Sequence, residues 1–589
     1  MLICRYFIFI CILLIDFSVF SQSKKHKTDR PNIIILLSDD QGWGDLSING
    51  NRNLQTPNID NIGKKGAQFT NFYVQPVCSP TRAELLTGRY HPRSGVVGTS
   101  KGGERFNIDE TTLADEFKKA GYATAAFGKW HSGMQYPYHP NGRGFDTFYG
   151  FCSGHWGDYF DAPLERNGEI VKGKGFTADD FTTEALSFMD KHKKDPFLLY
   201  VPFNTPHSPM QVPEAYWKKF NNKPLILRAE QPEKENLDFT RAALAMCENI
   251  DWNVGRIMQK VREMGIEDNT VILYFCDNGP NAIRWNGKMK GIKASTDEGG
   301  VRSPLLIQFP KKIKAGTKIK TIAGAIDLLP TLLDLAKIKS QISKPLDGIS
   351  LKPQLLSENT KLIDRQIFAY WAGKVSLRTQ QYRLDSEGKL FDMVKDPSQK
   401  TDISQQNIEI TTNLKQAVID WKKAVLPVDL ADKRPFTVGH KDYKITQLPA
   451  RDAQTIGCIV RSSQHPNCSF FTNWKTLDDA ILWEVEVLET GNFEVEMYYT
   501  CRTQDVGAVI QLSYNQQQIE TAITEAYDPP LKGMENDRIP RIESYVKEFK
   551  IVKMGQIILN KGQGKLTLKA TQIKGEQAVD FRTLVLRRL

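Results

Sequence analysis

The chain has 589 residues, 40% of them hydrophobic and 10% aromatic, and its 78 Lys and Arg outnumber 68 Asp and Glu to give a formal charge of +10. That is too long for one ordinary hydrophobic core and too apolar for a disordered chain, so two or three globular domains are expected. The basic balance favours a polyanionic partner. No zinc-finger, helix-turn-helix or aromatic-interleaved basic motif points to nucleic acid, and a basic balance without functional meaning is the competing reading.

Residues 1–21, MLICRYFIFICILLIDFSVFS, carry Arg5, an apolar stretch from Phe7 to Phe20, and Val19 and Ser21 placed for cleavage before Gln22. A signal peptide is expected, and with it an exported protein, periplasmic or secreted. The stretch is short for a membrane span and is interrupted by Asp16. No later segment offers the roughly 20 apolar residues a spanning helix needs, so no membrane anchor is expected. Cys4 and Cys11 lie too early for a lipoprotein attachment site. Removing those two from nine cysteines leaves seven, an odd number in a compartment that permits disulfides, so one is expected to serve chemistry. Cys458 and Cys468 could form a local bridge, while Cys152, Cys247 and Cys276 read as buried thiols; no disulfide framework is expected.

Four short runs are apolar at nearly every position: Ile33–Leu37, Ala123–Phe127, Phe197–Val201 and Val271–Phe275. Unbroken apolarity marks strands buried on both faces of a parallel sheet, because a half-exposed strand would alternate. Helical patterns intervene, among them Thr112–Ala120, read as capped by Thr111 and stopped by Gly121, and Asn236–Met264, ended by Gly265. The alternation predicts an α/β fold with a mostly parallel sheet flanked by helices. Near Leu351 the character changes, and Tyr370, Leu377, Tyr382 and Leu390, then the helix-like Ile408–Val425, suggest a small α+β subdomain. After a polar linker beyond Pro427, the runs Trp483–Tyr499, Val506–Tyr514, Tyr545–Ile558 and Lys565–Ala570 alternate with period two, which predicts an all-β sandwich. The expected organisation is a signal peptide at 1–21, an α/β body at 22–350, the α+β subdomain at 351–435 and an accessory sandwich at 436–589.

Each buried run ends in polar groups: Asp39 and Asp40 after the first, Lys129 and His131 after the second, His207 after the third, Asp277 and Asn278 after the fourth. In a parallel sheet all four ends share one edge, where open α/β proteins bind ligands. Asp39, Asp40, Asp277 and Asn278 offer only oxygen donors, which suits a hard cation such as Ca²⁺ better than zinc. Lys129, His131 and His207 suit gripping an anion and moving protons. In Cys78-Ser79-Pro80-Thr81-Arg82, followed by AELLTGR, a helix is expected with Ser79 near its N-cap and Pro80 in its first turn, so that Cys78 meets the positive helix end. Such a cysteine is either a reactive nucleophile or an ordinary buried thiol, and spacing alone does not choose.

CSPTRAELLTGR at Cys78–Arg89 matches the C-x-P-x-R signature and following T-G-R of the formylglycine-dependent sulfatases of the alkaline-phosphatase superfamily, which this chain resembles from Pro31 to about Val425. NIIILLSDDQGWGD, FGKWHSG, NTPHSP, DNG and EGGVRSP occur in family order. The resemblance implies a sulfuric ester hydrolase in which Cys78 is oxidised to formylglycine by a formylglycine-generating enzyme. The hydrated aldehyde supplies the attacking hydroxyl, and Arg82 holds the modified side chain. It implies one Ca²⁺ held by Asp39, Asp40, Asp277 and Asn278, with the residue at 78 also at the metal. Lys129 and His207 would bind the sulfate oxygens, and His131 would take the proton that expels sulfate and restores the aldehyde, a route an ordinary Ser or Cys ester lacks. Lys293 matches the last cationic contact, five positions before Glu298, and with His207 would protonate the leaving oxygen. The sequence there reads MKGIKA instead of the family's L-R-G-G-K-G, so Lys288 and Lys290 compete for this role. Ser153 could correspond to a family serine near the sulfate.

The resemblance further implies a sulfated carbohydrate as substrate, such as ulvan, carrageenan, fucoidan or a glycosaminoglycan, for an exported enzyme of bacterial type. His155, Trp156, Tyr159, Arg284 and Trp285 are candidate sugar contacts. Two rivals stand beside it: a phosphatase or phosphodiesterase of the same superfamily, whose sites usually take two metals, and a catalytically silent glycan-binding protein, since the sandwich resembles carbohydrate-binding domains.

Overall fold

The computed structural model describes residues 30–357, 362 and 364–589. The expected signal peptide at 1–21, with Cys4 and Cys11, lies outside them.

The central sheet has eleven strands, and its middle is formed by the four apolar runs. They extend over Thr270–Cys276, Asn32–Ser38, Phe197–Pro202 and Ala123–Lys129, side by side in that order and all parallel. Alternate side chains of one strand serve two cores. Ile33, Ile35 and Leu37 pack with Ala83, Leu85, Phe117 and Leu332 on one face. Ile34 and Leu36 pack with Ile59, Phe181, Val254 and Ile257 on the other. Burial of each such side chain contributes about 1.5–3 kcal/mol, which is why every position must be apolar. The flanking Arg302–Gln308, Pro163–Arg166 and Glu169–Lys172 run antiparallel to their neighbours.

The helix expected after Thr111 spans Leu113–Lys119, and its cap is Thr112. Thr112 Oγ1 accepts from Asp115 N at 3.0 Å while Asp115 Oδ2 accepts from Thr112 N at 2.9 Å, a reciprocal box that Thr111 is one residue too early to make. The long helix covers Leu237–Glu263 with Asn236 as its N-cap. A four-stranded antiparallel sheet from Ile367 to Asp392 follows, covered by the helix Ile408–Val425, whose Trp421 stacks on Phe368 with ring centres 5.1 Å apart.

From Phe436 onward two six-stranded sheets face each other across one apolar core. The alternating run Trp483–Tyr499 is two strands, Ala480–Val487 and Gly491–Thr500, one in each sheet, parted by a short turn. Strand patterns near Val506 and Tyr545 begin later than expected, at Val509 and Lys550. Asp580–Arg588, which carries no clean alternation, is central in its sheet, flanked by Phe471–Thr472 and Gly491–Thr500. The seven cysteines from Cys78 to Cys501 are all free thiols; Cys458 is exposed, Cys468 is buried, and they are not bridged.

Replacing Thr112 by Ala is expected to cost about 1 kcal/mol, read as a lower urea midpoint by tryptophan fluorescence. A midpoint equal to the parent's would show that the capping box contributes nothing.

Candidate active site

Because the four central strands are parallel, their carboxyl ends open on one edge and carry Asp39, Asp40, Lys129, His131, His207, Asp277 and Asn278 to it. Backbone bonds tie the ends together: Asp39 N donates to Thr205 O, Asp277 N to Ser38 O, and Asp40 N to Asp277 Oδ1. Asp40 and His131 adopt left-handed conformations, with φ of 64° and 58°. Such strain in non-glycine residues concentrates at functional sites.

Charge is arranged in buried pairs. Lys129 Nζ donates to Asp39 Oδ2 at 2.6 Å, and Arg82 Nη2 to Asp277 Oδ2 at 2.8 Å. Lys293 Nζ lies 2.7 and 2.8 Å from the two oxygens of Asp40. Burial drives the Asp39 and Asp277 carboxyls up to about 6, against the pull of Lys129 and Arg82. Burial pushes Asp40 up as well, but Lys293, His207 and Lys129 outweigh it and hold this carboxyl well below the ordinary range. Of the competing lysines, Lys288 is exposed and Lys290 pairs with Asp297 at 3.3 Å, outside the strand-end cluster.

The Lys293 loop is pinned from two sides. Lys293 N donates to Pro280 O, and Gly299 N to Lys290 O. A Cβ at Gly299 would meet Gly291 O at 2.3 Å, so the Glu298-Gly299-Gly300 turn admits no side chain there. Glu298 is buried against Arg383 at 2.8 Å; burial raises its carboxyl, but Arg383, Arg378 and Arg302 bring it down to about 2.

The helix Cys78–Thr87 begins on Cys78 itself, with extended Val77 as N-cap, so the expected Ser79 cap is not made. Ser79 Oγ turns away to Gly98 O. Pro80 still falls in the first turn, where a missing N–H costs no helical bond. Gly88 closes the helix at φ 66°, donating to Glu84 O, which is the structural role of the glycine in T-G-R. Cys78 Sγ and carboxylate oxygens of Asp39 and Asp277 lie within 4.8 Å of one another. Arg82 is fully buried, and it also donates to Lys129 O at 2.9 Å, so it braces the helix against two strand ends.

His131 Nε2 lies 2.7 Å from Thr99 O. A carbonyl can only accept, so Nε2 carries the proton, and Nδ1, buried and without a partner, keeps its lone pair. Burial, with Lys129 next, holds this imidazole well below the usual histidine range and therefore neutral. By the same logic His207 Nδ1 donates to Ser208 O at 2.6 Å, and Nε2 faces Asp40 Oδ2 at 3.5 Å. Burial brings His207 down to about 4 against the opposing pull of Asp40.

A pocket of about 470 Å³ opens over Asp40, His207 and Lys293. Of the candidate sugar contacts, His155 lines it and stacks on His207. Trp156 stacks on Phe151, Tyr159 is buried and donates to His207 O and Ser208 O, and Arg284 is buried against Asp45, so these three hold the site's frame. Trp285 does not line the pocket. Ser153 Oγ accepts from Arg451 at 2.9 Å and faces a separate, mainly apolar cavity of about 450 Å³ between the α/β body and the sandwich. Sequence reasoning missed Ser208, Asn281, His465 and Glu543, which also line the pocket. The NTPHSP and DNG segments pointed near the first two; nothing in the sequence signalled the last two.

Comparison with known proteins bears on the family of the chain. The sulfatase family profile matches residues 31–338, and that of the N-sulphoglucosamine sulphohydrolase C-terminal region matches residues 293–424. N-acetylgalactosamine-6-sulfatase of Mus musculus is 32% identical over 376 residues, covering 58% of this chain and 68% of its own length. An uncharacterized sulfatase of Escherichia coli is 32% identical over 398 residues, covering 58% and 69%. Among solved structures, that of Ps i-CgsB in complex with k-i-k-neocarrahexaose superimposes with a TM-score of 0.61 at 31% identity, over 67% of this chain and 93% of that one. With a family profile spanning more than half its length over an alkaline-phosphatase-like α/β body, this chain belongs to the sulfatase family and is a sulfuric ester hydrolase.

Proposed function

We propose that this sulfatase removes sulfate from a sulfated carbohydrate, using formylglycine made from Cys78 and one Ca²⁺ ion. The observation that carries this reading is the meeting of Cys78 with Asp39 and Asp277, beside Lys129 on Asp39 and Lys293 on Asp40. The carbohydrate follows from relatives named N-acetylgalactosamine-6-sulfatase and from the neighbour solved in complex with k-i-k-neocarrahexaose.

The residues fit a hard cation. Asp39 Oδ1 is buried with no hydrogen-bond donor, and so is Asn278 Oδ1, because the Asn278 amide nitrogen is spent on Asp40 Oδ1 and Gly279 O. Three carboxylates and the Asn278 amide oxygen, two of their oxygens orphaned, form an all-oxygen donor set. Asp39, Asp40, Asp277 and Asn278 would hold Ca²⁺, with the side chain at 78 beside them; when bound, the ion supplies positive charge that orients and acidifies a hydroxyl there. Formylglycine, as its hydrate, would supply one hydroxyl to take the sulfuryl group and a second whose proton is lost as the aldehyde C=O re-forms and the carbon–oxygen bond to sulfate breaks.

The protein's own groups do the rest. Three buried carboxylates balance Arg82, Lys129 and Lys293, so a divalent ion on the carboxylates leaves the lysines free to attract an anion. Lys129, and His207 once a bound anion has drawn a proton onto its Nε2, would bind the sulfate oxygens where charge develops. Arg82 would fix the side chain at 78 through the first turn of its helix. His131 Nδ1, with its lone pair aimed by the Thr99 bond, would accept the proton whose removal releases sulfate. Lys293, with His207, would deliver a proton to the leaving sugar oxygen. We assign 22–350 as the catalytic domain, 351–435 as its subdomain and 436–589 as the accessory sandwich, in an exported protein matured by a formylglycine-generating enzyme.

Protein with formylglycine at 78, verified by mass spectrometry, is expected to release sulfate and no phosphate from a sulfated polysaccharide panel, measured by ion chromatography. Phosphate release would move the enzyme to the phosphatase branch. Cys78→Ala should lower turnover at least about a thousandfold and His131→Ala about 10²–10⁴-fold, with circular dichroism unchanged; activity surviving either change refutes the assigned role.

Calcium at one hundred times its Kd should stabilise the metal-stripped protein by about 2.7 kcal/mol, seen as a higher melting temperature, and Asp277→Ala should remove the effect. An equal response to zinc, or none to calcium, would reject the oxygen-donor site.

A further inference from the structure

The pocket over Lys293 and His207 does not end at the catalytic body. Ile539–Glu543 and His465, all from the sandwich, form its opposite wall. Ile542 and Glu543 also border a second, more open hollow of about 750 Å³, lined wholly by the sandwich and including Gln464, Phe470 and Tyr545. Ile542 is 73% exposed, an apolar ridge between the two hollows. Glu543 beside it accepts from Ser208 Oγ through one carboxylate oxygen, while the other is buried without a partner. Since Ser208 follows His207, that bond joins the ridge to the sulfate side of the pocket.

This wall is fixed to the body. Gln211 Nε2 donates to Gly533 O at 2.8 Å and Asp537 Oδ1 at 2.9 Å. Arg541 is held by Asp537 and donates to Gly157 O, and Arg538 donates to Val212 O at 2.7 Å. Cys468 Sγ donates to the carbonyl of His155, itself a pocket residue. The sandwich therefore stands over the site as a rigid wall, in contrast to a tethered binding module.

We propose that the sandwich supplies the subsites next to the sulfated sugar, so that the substrate is an oligosaccharide or polymer running from Lys293 across Ile542 to Gln464 and Tyr545. This rests on the pocket being the sulfate-ester site. The ridge offers an apolar surface to the C–H face of a sugar ring, and the exposed Gln464 amide offers partners to hydroxyls. Among the described residues the one cation lining the second hollow, Lys547, is committed to Asp580 at 2.5 Å and Asp528 at 3.5 Å. The neighbouring sugar is thus recognised through its hydroxyls and ring, and not through a second sulfate group.

The test uses the full chain carrying Cys78→Ala, or Cys78→Ser should the first fail to fold, titrated calorimetrically with mono-, di-, tetra- and hexasaccharides from carrageenan and from chondroitin sulfate. Affinity in one series should rise at least about tenfold from mono- to tetrasaccharide. Ile542→Ala combined with Gln464→Ala, both at exposed positions, should cut that gain to below about threefold. Length-independent affinity, a gain that survives both substitutions, or no binding in either series overturns the proposal. Sulfate release by the unsubstituted protein is scored separately. A length gain without release would refute the reaction and uphold the groove, whereas release with length-independent binding would refute the groove alone.

Discussion

The structure depends on holding Asp39, Asp40 and Asp277 against Arg82, Lys129 and Lys293 at one sheet edge, with all but Lys293 almost completely sealed from solvent. An unpaired buried ion costs several kcal/mol even after relaxation, so none of the five sealed groups is tolerable without its partners. The pairing in turn demands that several chain segments end within ångströms of one another. A parallel sheet with both faces buried meets that demand, because its register, Ile33 beside Leu198 and Val271, fixes where each strand stops.

Lys293 shows how far this demand reaches. It comes from a loop with no regular structure, yet its ammonium must meet Asp40. The loop is held by Pro280 and by the glycines after Glu298, and Glu298 is clamped by Arg378 and Arg383 of the small antiparallel sheet. The subdomain therefore acts on the site at a distance, through a buried carboxylate it neutralises. The stack of Phe368 on Trp421, edged by Tyr90, supplies the apolar packing that keeps those arginines in place.

The sandwich has its own core and meets the body through apolar contacts, such as Ile539 against the Met210 and Val212 cluster, and through polar groups. Arg451, buried, reaches Ser153 and Glu104; Arg105 donates to the carbonyls of Arg434 and Pro435 in the linker. Buried guanidinium groups that donate across the junction specify one docking geometry, since any other leaves those donors unpaired. That specificity brings Glu543 to Ser208, 335 positions away in sequence.

The sequence by itself determined the fold class and the edge on which the polar groups gather, because unbroken apolar runs have few solutions other than a doubly covered parallel sheet, and the residue after each run must emerge at its end. It also located the Cys78 helix, since Pro80 and Gly88 obey local backbone rules. It misjudged details set by single hydrogen bonds: Thr112 and not Thr111 caps its helix, and Val77, not Ser79, precedes the Cys78 turn. Tertiary structure alone decided that Lys293 reaches Asp40 while Lys290 turns to Asp297, that Trp156 and Tyr159 serve the frame, and that His465 and Glu543 face the pocket. Periodicity and caps are written within a dozen neighbouring residues, whereas these contacts arise from the docking of surfaces hundreds of residues apart, which no local pattern encodes.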